Sequence, residues 1–346
     1  MQWRPTKVAI LLLSAAIGFS TAPSRSQSAP AAKDAEFDTH FKQGQQFLKT
    51  GKYQEAINEL KKAAKLHEKS CSACYYAMAL AYIDSGQFAE AAKTCDMATA
   101  AAADDPGRAA AHNLKGSALL ALSRTDSKKL ATAESELRTA IQLDGKMALY
   151  HFGLATTLLR ESKDAEAKEE LQACLALNPD RETAEQARLF LIDPRRGREE
   201  FAPDFELTTQ LGQMISLKQL SGRIVVMDFW ATWCPPCRES VPELKDLSRK
   251  YPSEKLMLIS VSADSDEQAW RNFVAKRNMD WAQYRDADHR VLEAFHIHAF
   301  PTYLVIDGDG IVKQRIVGLN PQETVVHRLK ATLEHMPQLE GEVGRK

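Results

Sequence analysis

The 346-residue chain has almost no net charge. Its 45 Lys and Arg residues are balanced by 46 Asp and Glu residues, giving a formal net charge of −1 at pH 7. This balance provides no electrostatic basis for binding nucleic acid or an anionic membrane surface. Beyond the N-terminus, no run of 18 or more apolar residues occurs, so no further membrane-spanning helix is expected. The length and the 44% hydrophobic content predict two globular domains with extensions.

Cysteine is also scarce. There are six cysteines, and none follows Cys237. A four-cysteine zinc site in the C-terminal part is therefore excluded, and only His296 and His298 lie nearby as additional candidate ligands. We predict no metal site. Six cysteines allow 15 pairings, among which the sequence alone does not choose. The six are Cys71, Cys74, Cys95, Cys174, Cys234 and Cys237.

Residues 1–28 have the pattern of an export signal. Arg4 and Lys7 precede a 12-residue apolar core, Val8–Phe19, which is too short to span a bilayer comfortably. An uncleaved membrane anchor is the alternative. We therefore predict a protein of the bacterial periplasm or cell envelope, where disulfides persist. Residues 29–36 continue a Ser-, Ala- and Pro-rich stretch and are predicted to be a disordered linker.

Residues 37–192 are predicted to form repeated pairs of helices. The second helix of each pair carries three anchor positions spaced four and three residues apart. The four sets are Ala56/Leu60/Ala63, Ala91/Cys95/Ala98, Ala133/Leu137/Ala140 and Ala167/Leu171/Cys174. This pattern resembles the tetratricopeptide repeat (TPR) family, with residues 182–192 as a C-terminal capping helix. Such arrays usually bind protein partners; a spacer or dimerisation arm is the alternative.

The segment Cys71-Ser72-Ala73-Cys74 falls between the first two repeats, at a predicted helix start. Three interpretations stay open: a local structural disulfide, a second redox-active pair, or small buried residues. No predicted strand precedes this segment. Cys95 and Cys174 occupy packing positions of the repeats, which predicts inert core thiols.

A second pair of cysteines stands where a predicted strand passes into a predicted helix. The strand, Ile224–Trp230, is mostly apolar, and Cys234 and Cys237 follow it with two prolines between them. A thiol at a helix start lies near unpaired N–H groups and the positive end of the helix dipole, which favours its thiolate. The second thiol is close enough to form a disulfide with the first. The spacing therefore predicts thiol–disulfide exchange through a redox-active disulfide, with no other cofactor.

The pattern changes after a charged segment at 193–200, which is predicted to be an interdomain linker. Residues 201–336 alternate short strands with helices, as an α/β domain does, and 337–346 are predicted to be a disordered tail. The strands are predicted near Ile224–Trp230, Leu256–Ser262, Thr302–Ile306 and Ile311–Val317, and the helices near Pro236–Tyr251, Glu267–Lys276, His289–Phe295 and Pro321–Glu334. An Asp-Gly-Asp-Gly sequence between the last two strands predicts a hairpin.

The C-terminal part resembles the thioredoxin superfamily, specifically its TlpA/ResA-like (redoxin) branch. The motifs that carry the resemblance are Ala202-Pro203-Asp204-Phe205, Trp233-Cys234-Pro235-Pro236-Cys237-Arg238 with Pro242, and Phe300-Pro301-Thr302. The resemblance implies that Cys234 is an exposed attacking thiol and Cys237 a buried resolving thiol. It implies that burial raises the pKa of Asp228, which then takes the proton of Cys237 near neutral pH.

The resemblance also implies a cis peptide bond before Pro301, which leaves the Phe300 backbone free to pair with a substrate strand. Trp233 flanks the pair; substrate contact and packing are both open for it, as they are for Trp230. Relatives of this branch usually carry a glutamate where this chain has Ser240. Glu239 lies one position away, which is a rotation of about 100° around a helix, so it is not expected to substitute. We expect His298 to be a surface residue.

These features together predict an all-α TPR solenoid followed by an α/β thioredoxin fold. The predicted function is an exported thiol:disulfide oxidoreductase whose repeats recruit a protein client or partner. The resemblance implies a reductant of envelope protein disulfides, supplied by an upstream membrane electron donor. One alternative is a redoxin-type thiol peroxidase, although the expected Pro-x-x-x-Thr-x-x-Cys setting is missing around Cys234. Another is a TPR scaffold with a structural thioredoxin module. Neither nucleic acid nor a membrane is an expected partner, apart from an uncleaved signal anchor.

Overall fold

A computed structural model describes residues 28–67, 70–318, 325–336 and 339. The predicted signal peptide, apart from its last residue, lies outside these ranges. The chain divides into two compact units, with the boundary between Arg198 and Glu199. No helix within the described ranges is long and apolar enough to cross a membrane.

The N-terminal unit consists of helices arranged in antiparallel pairs. The pairs are α1 (Ser28–Lys49) with α2 (Tyr53–Leu66), α3 (Ser72–Asp84) with α4 (Phe88–Ala101), α5 (Asp105–Leu122) with α6 (Lys129–Leu143), and α7 (Ala148–Arg160) with α8 (Asp164–Ala176). A further helix, α9 (Arg181–Ile192), follows where a capping helix was expected. The left-handed conformation of Asn178, with a φ of 51°, ends the last pair.

The predicted repeat register is confirmed by burial. All twelve anchor residues of α2, α4, α6 and α8 are at most 1% exposed. The leucine anchors of the second helix pack against small residues on the first helix of the same pair. A Cβ at Gly44 would lie 2.6 Å from Leu60 Cγ, and one at Gly116 would lie 2.6 Å from Leu137 Cγ. Close helix packing in two of the repeats therefore depends on a glycine facing a leucine.

A second repeated contact, which the sequence reading missed, joins the helices of three pairs. In each pair, a histidine of the first helix is hydrogen-bonded to the glutamate directly before the leucine anchor of the second helix. The pairs are His40–Glu59, His112–Glu136 and His151–Glu170, with N···O distances of 2.5, 2.6 and 2.6 Å. The recurrence of this contact supports the same repeat register as the apolar anchors.

Leu137→Ala is expected to destabilise the helical unit by roughly 2–5 kcal/mol, because it leaves a cavity opposite Gly116 and Gly153. Urea unfolding followed by far-ultraviolet circular dichroism of the full chain measures this loss. Gln142→Ala, at an exposed position on the same helix, is the matched control. Equal unfolding midpoints for the two variants would contradict the packing described for Leu137.

One prediction at the start of this unit is wrong. The first helix begins at Ser28 and includes residues 29–36, which were predicted to be disordered. Alanine is the strongest helix former, and Pro30 falls in the first turn, where its missing N–H costs no helical hydrogen bond. The predicted linker at 193–200 contains the boundary between the two units, and it is structured up to that boundary. Residues 194–197 form a 3₁₀ turn, and Arg198 makes an ion pair with Asp164 at 2.6 Å.

The C-terminal unit is built around a five-stranded mixed sheet. Its order is β5 (Ala282–Arg285), β4 (Leu256–Ser262), β3 (Ile224–Trp230), β6 (Thr302–Ile306) and β7 (Val312–Val317). β3 pairs in parallel with β4 and antiparallel with β6. A separate hairpin is formed by β1 (Glu206–Thr208) and β2 (Met214–Ser216). The helices are α10 (Pro235–Lys250), α11 (Glu267–Arg277), α12 (Arg290–Ala294) and α13 (Val325–Leu333).

The central strand of the sheet, β3, leads directly to Cys234 and Cys237. All seven residues of β3 are buried, as a strand covered on both faces requires. The predicted hairpin between β6 and β7 is confirmed, and the carboxylate of Asp307 accepts hydrogen bonds from the N–H groups of Asp309 and Ile311. The four predicted strands are present, and β7 begins one residue later than predicted.

Other parts of this unit differ from the predictions. The hairpin of β1 and β2 and the strand β5 were not predicted, because segments of three or four residues carry too little periodicity. The predicted tail 337–346 lies mostly outside the described residues. Its Leu339, however, is fully buried in the core, and its N–H donates to the Met336 carbonyl at 2.9 Å. The prediction of disorder is therefore wrong at this residue, since its apolar side chain packs against the domain.

Candidate functional site

The cysteine pair of the C-terminal unit lies where β3 passes into α10. Cys234 is the residue before the helix, and its sulfur accepts a hydrogen bond from the Cys237 N–H at 3.3 Å. Pro235 and Pro236 occupy the first helical positions, where a missing N–H breaks no helical hydrogen bond. The sequence thus places one sulfur among the unpaired N–H groups of a helix N-terminus, where a thiolate is stabilised.

Cys234 and Cys237 form a disulfide, with an S–S distance of 2.07 Å. The predicted pairing is therefore present. Cys237 is 2% exposed, as expected, but Cys234 is only 5% exposed. The prediction of an exposed Cys234 is therefore wrong: its side chain is buried together with that of Cys237, to which it is bonded.

A carboxylate that the sequence reading missed holds the loop before the disulfide. Asp264 is 3% exposed and follows the end of β4. It accepts hydrogen bonds from the Thr232 N–H at 2.9 Å, from the Thr232 hydroxyl at 2.6 Å and from the Ser262 hydroxyl at 2.6 Å. The loop between β3 and the disulfide is therefore fixed to the neighbouring strand. An aspartate two residues after a buried strand was the available signal.

An exposed aromatic surface lies beside the disulfide. The side chain of Trp233 is 63% exposed, and its ring meets that of Phe300 edge-on at 5.8 Å between centroids. The Phe300–Pro301 peptide bond is cis, as predicted. The Pro301 carbonyl accepts the Gly318 N–H at 2.8 Å. Within the described residues, the backbone N–H and carbonyl of Phe300 have no hydrogen-bonding partner.

Asp228 is buried in the middle of β3. It is 2% exposed, and its Oδ2 accepts a hydrogen bond from the Ser260 hydroxyl at 2.8 Å. Its Oδ1 has no hydrogen-bonding partner among the described atoms. Burial raises the pKa of this carboxyl from its ordinary 3.8 to about 7, and the hydrogen bond from Ser260 opposes that rise. Asp228 is therefore a group that can accept or release a proton near neutral pH.

Ser260 and Trp281 orient this carboxyl, and the sequence reading missed both. The register of the sheet places Ser260 of β4 directly beside Asp228. The Trp281 indole N–H donates to the Ser260 oxygen at 2.8 Å, which leaves the Ser260 hydroxyl hydrogen to donate to Asp228. The buried hydrogen bonds thus run in series from the indole to the hydroxyl to the carboxylate. No motif marked it, because the three residues come together only through strand pairing.

Ser260→Ala is expected to raise the pKa of Asp228 further, by roughly one to two pH units, because it removes a hydrogen bond to the charged form. We expect the midpoint of the pH–rate profile for disulfide reduction to move upward by the same amount. Trp281→Phe keeps the Ser260 bond and should give a smaller shift. Ser265→Ala, at an exposed position, is the control. If the pH–rate profiles of both Ser260→Ala and Trp281→Phe match that of the parent, the hydrogen bonds from Trp281 and Ser260 do not act on Asp228.

Other candidate positions have different surroundings. Ser240, at the position where relatives usually carry a glutamate, is 3% exposed and its hydroxyl donates to the Pro236 carbonyl at 3.1 Å. His298 is exposed, as expected, and so is His296. Trp230 is buried and packs against Phe273, so packing is its observed role. Across the described residues, no group of three or more His, Cys, Asp or Glu side chains is placed to hold a metal ion.

The remaining cysteines lie in the helical unit. Cys71 and Cys74 also form a disulfide, so the interpretation as small residues without a bond is wrong. Cys95 and Cys174 are free and buried. Burial raises the pKa of Cys95 to about 12 and that of Cys174 to about 11, which disfavours the reactive thiolate and supports inert core thiols.

Both units match known proteins. Residues 199–315 match the AhpC/TSA family, and residues 47–117 match the tetratricopeptide repeat. The chain is 34% identical over 122 residues to the thiol-disulfide oxidoreductase ResA of Bacillus cereus, a match that covers 35% of this chain and 70% of that protein. It is 29% identical over 126 residues to ResA of Bacillus subtilis, covering 36% and 70%. A solved thiol-disulfide oxidoreductase from Bacteroides fragilis is 26% identical, with a TM-score of 0.34, over 38% of this chain and 99% of that one. The predicted order of an all-α TPR region and an α/β thioredoxin-like domain is confirmed.

Proposed function

The chain belongs to the ResA family of thiol-disulfide oxidoreductases, and on that premise we propose that it reduces disulfides in protein clients outside the cytoplasm. The observation that carries this proposal is the Cys234–Cys237 disulfide at the N-terminus of α10. Opening such a bond gives one thiolate stabilised by helix N–H groups and a second within reach of it. Those are the two groups that disulfide exchange requires.

The proposed reaction begins with the reduced pair. The Cys234 thiolate attacks one sulfur of a client disulfide, the client S–S bond breaks, and the second client sulfur leaves as a thiolate. Asp228 takes the proton of Cys237. The Cys237 thiolate then attacks the Cys234 sulfur and releases the first client sulfur. The client gains two electrons, and the Cys234–Cys237 disulfide is regenerated.

The aromatic surface beside the pair is the proposed client site. Trp233 and Phe300 offer apolar contact area next to the sulfurs, and the Phe300 backbone offers one donor and one acceptor to an extended client segment. Reduction of the pair after each turnover requires a dithiol donor, which we propose to be a membrane protein. The signal pattern of residues 1–28 supports export, and the helical repeats are proposed to bind the client or a partner protein.

The test is covalent trapping in cells that express the full chain. Cys237→Ser should retain the mixed disulfide between Cys234 and its client, because the resolving sulfur is missing. The trapped proteins should be released by dithiothreitol and should be exported proteins with cysteines. Cys234→Ser/Cys237→Ser is the matched control and should trap none. Adducts of equal abundance in the control, or adducts only with cytoplasmic proteins, would overturn the proposal.

A thiol peroxidase is a second candidate, favoured by the match of residues 199–315 to the AhpC/TSA family. It would use Cys234 to attack a peroxide instead of a disulfide. Hydrogen peroxide consumption with dithiothreitol as electron donor separates the two functions. We expect the full chain to consume peroxide no faster than a free thiol at the same concentration, while reducing insulin disulfides.

A further inference from the structure

The cysteine pair of the helical unit has the same local arrangement as the pair at 234 and 237. Cys71 is the residue before α3, and its sulfur accepts the Cys74 N–H at 3.1 Å. The Cα atoms are 5.3 Å apart in both pairs. The N–H bond to the Cys71 sulfur strengthens when that sulfur carries a negative charge, so it favours the Cys71 thiolate once the pair is opened.

The two sulfurs differ in access. Cys74 is fully buried, in a cluster with Leu60, Ala63 and Ala98, whereas Cys71 is half-buried at the edge of that cluster. Thiol–disulfide exchange needs one sulfur that an external thiolate can reach and one that leaves and later returns. The pair offers that division, with Cys71 as the accessible sulfur.

The start of α3 is held by a second contact besides the disulfide. The Ser72 hydroxyl donates to the Ala98 carbonyl of α4 at 3.0 Å, which fixes the first turn of α3 to the second helix of its own repeat. The disulfide bond closes a ring around only two intervening residues, so as a structural crosslink it constrains the unfolded chain less than a bond across a long loop would.

We propose that Cys71 and Cys74 form a second thiol–disulfide couple, which exchanges with glutathione or a protein dithiol at the Cys71 sulfur. A partner thiolate attacks Cys71, the bond to Cys74 breaks, and Cys74 takes up a proton. A second partner thiolate then attacks the partner sulfur of the mixed disulfide and releases Cys71 as a thiolate. The partner is oxidised to a disulfide, and the pair gains its two electrons.

The first test uses the full chain carrying Cys234→Ser/Cys237→Ser, so that its outcome is independent of the function proposed for that pair. The protein is equilibrated with glutathione redox buffers, the free thiols are alkylated, and the peptide that contains both Cys71 and Cys74 is weighed by mass spectrometry. We expect a complete two-electron transition within the range of the buffers and an unchanged far-ultraviolet circular dichroism spectrum. A pair that stays oxidised in excess reduced glutathione, or helices that unfold as it opens, would show a structural crosslink and overturn the proposal.

The second test separates the two sulfurs in the same background. Adding Cys74→Ser leaves Cys71 alone, which oxidised glutathione should convert to a mixed disulfide. The matched variant, Cys71→Ser, leaves only the fully buried Cys74 and should react at least about tenfold more slowly. Cys95 and Cys174 are buried internal controls in both proteins. Equal rates at the two sulfurs would contradict the assignment of Cys71 as the point of exchange.

Discussion

Cys234→Ser is expected to lower the rate of insulin disulfide reduction by on the order of 10³-fold or more. A serine hydroxyl at a helix N-terminus stays protonated at neutral pH, so the attacking group is lost. The geometry of the helix start is otherwise kept, because the serine oxygen can accept the Cys237 N–H that the sulfur accepts now. The loss should therefore appear in the rate, with little change in stability relative to the reduced parent.

The repeats provide a control for this substitution. Cys174 occupies the third anchor position of its repeat, where the other three repeats have Ala63, Ala98 and Ala140. Cys174→Ala removes a buried thiol and inserts the residue that the fold already uses at that position. It should leave insulin reduction within about twofold of the parent, because alanine already packs at the equivalent position of the other three repeats. Similar losses in Cys234→Ser and Cys174→Ala would show that removal of any thiol impairs the protein, and would remove the case for Cys234 as the nucleophile.

Asp228→Asn should lower the rate of disulfide reduction and raise the stability of the folded protein. It removes a group that exchanges protons near neutral pH, so the rate of disulfide reduction should fall by roughly 10²-fold at pH 7. The inflection of the pH–rate profile near the pKa of about 7 should disappear with it. The amide can still accept the Ser260 hydrogen bond, which keeps the chain from Trp281 intact.

The second effect is on stability. The carboxyl of Asp228 has a pKa of about 7 when folded and 3.8 as its ordinary value. Between these values the folded protein binds more protons than the unfolded chain, so stability falls as the pH rises from about 4 to 7 and stays low above that. Asp228→Asn removes this loss. The unfolding free energy of Asp228→Asn minus that of the parent should rise by on the order of 4 kcal/mol from pH 4 to pH 8.

Tryptophan fluorescence during urea unfolding measures the unfolding free energy of the C-terminal unit, because four of the five tryptophans lie in residues 230–281. Asp204→Asn, at an exposed position, controls for the loss of one negative charge. A constant difference between parent and Asp228→Asn from pH 4 to pH 8 would mean that Asp228 ionises in the folded protein as it does in the unfolded chain. That result would also contradict its role as the base for Cys237.

The sequence predicted the features that repeat or that recur at fixed spacing. The helical register followed from anchors such as Leu60, Leu137 and Leu171, all of which are buried, because a period repeated four times is a strong signal. The strands β3, β4 and β6 followed from long apolar runs. The pair at 234 and 237 and the cis-proline followed from motifs.

The features that were missed depend on contacts between residues distant in sequence. Asp264 fixes the loop at Thr232 and Ser260 orients Asp228, each across a separation of 32 residues. The segment at 193–200 does contain the boundary between the two units, as predicted from its charge and its Pro and Gly, but the carboxylate partner of its Arg198, Asp164, was not foreseen. Local composition does not reveal such partners.

Equilibration of the full-length chain with glutathione redox buffers, with alkylation and mass analysis of the peptide that contains Cys234 and Cys237, tests the central claim most directly. The account predicts complete, reversible interconversion of disulfide and dithiol in a single two-electron step. A peptide that stays in one form across the whole range of buffers, or one that takes up glutathione without ever forming the internal bond, would contradict it.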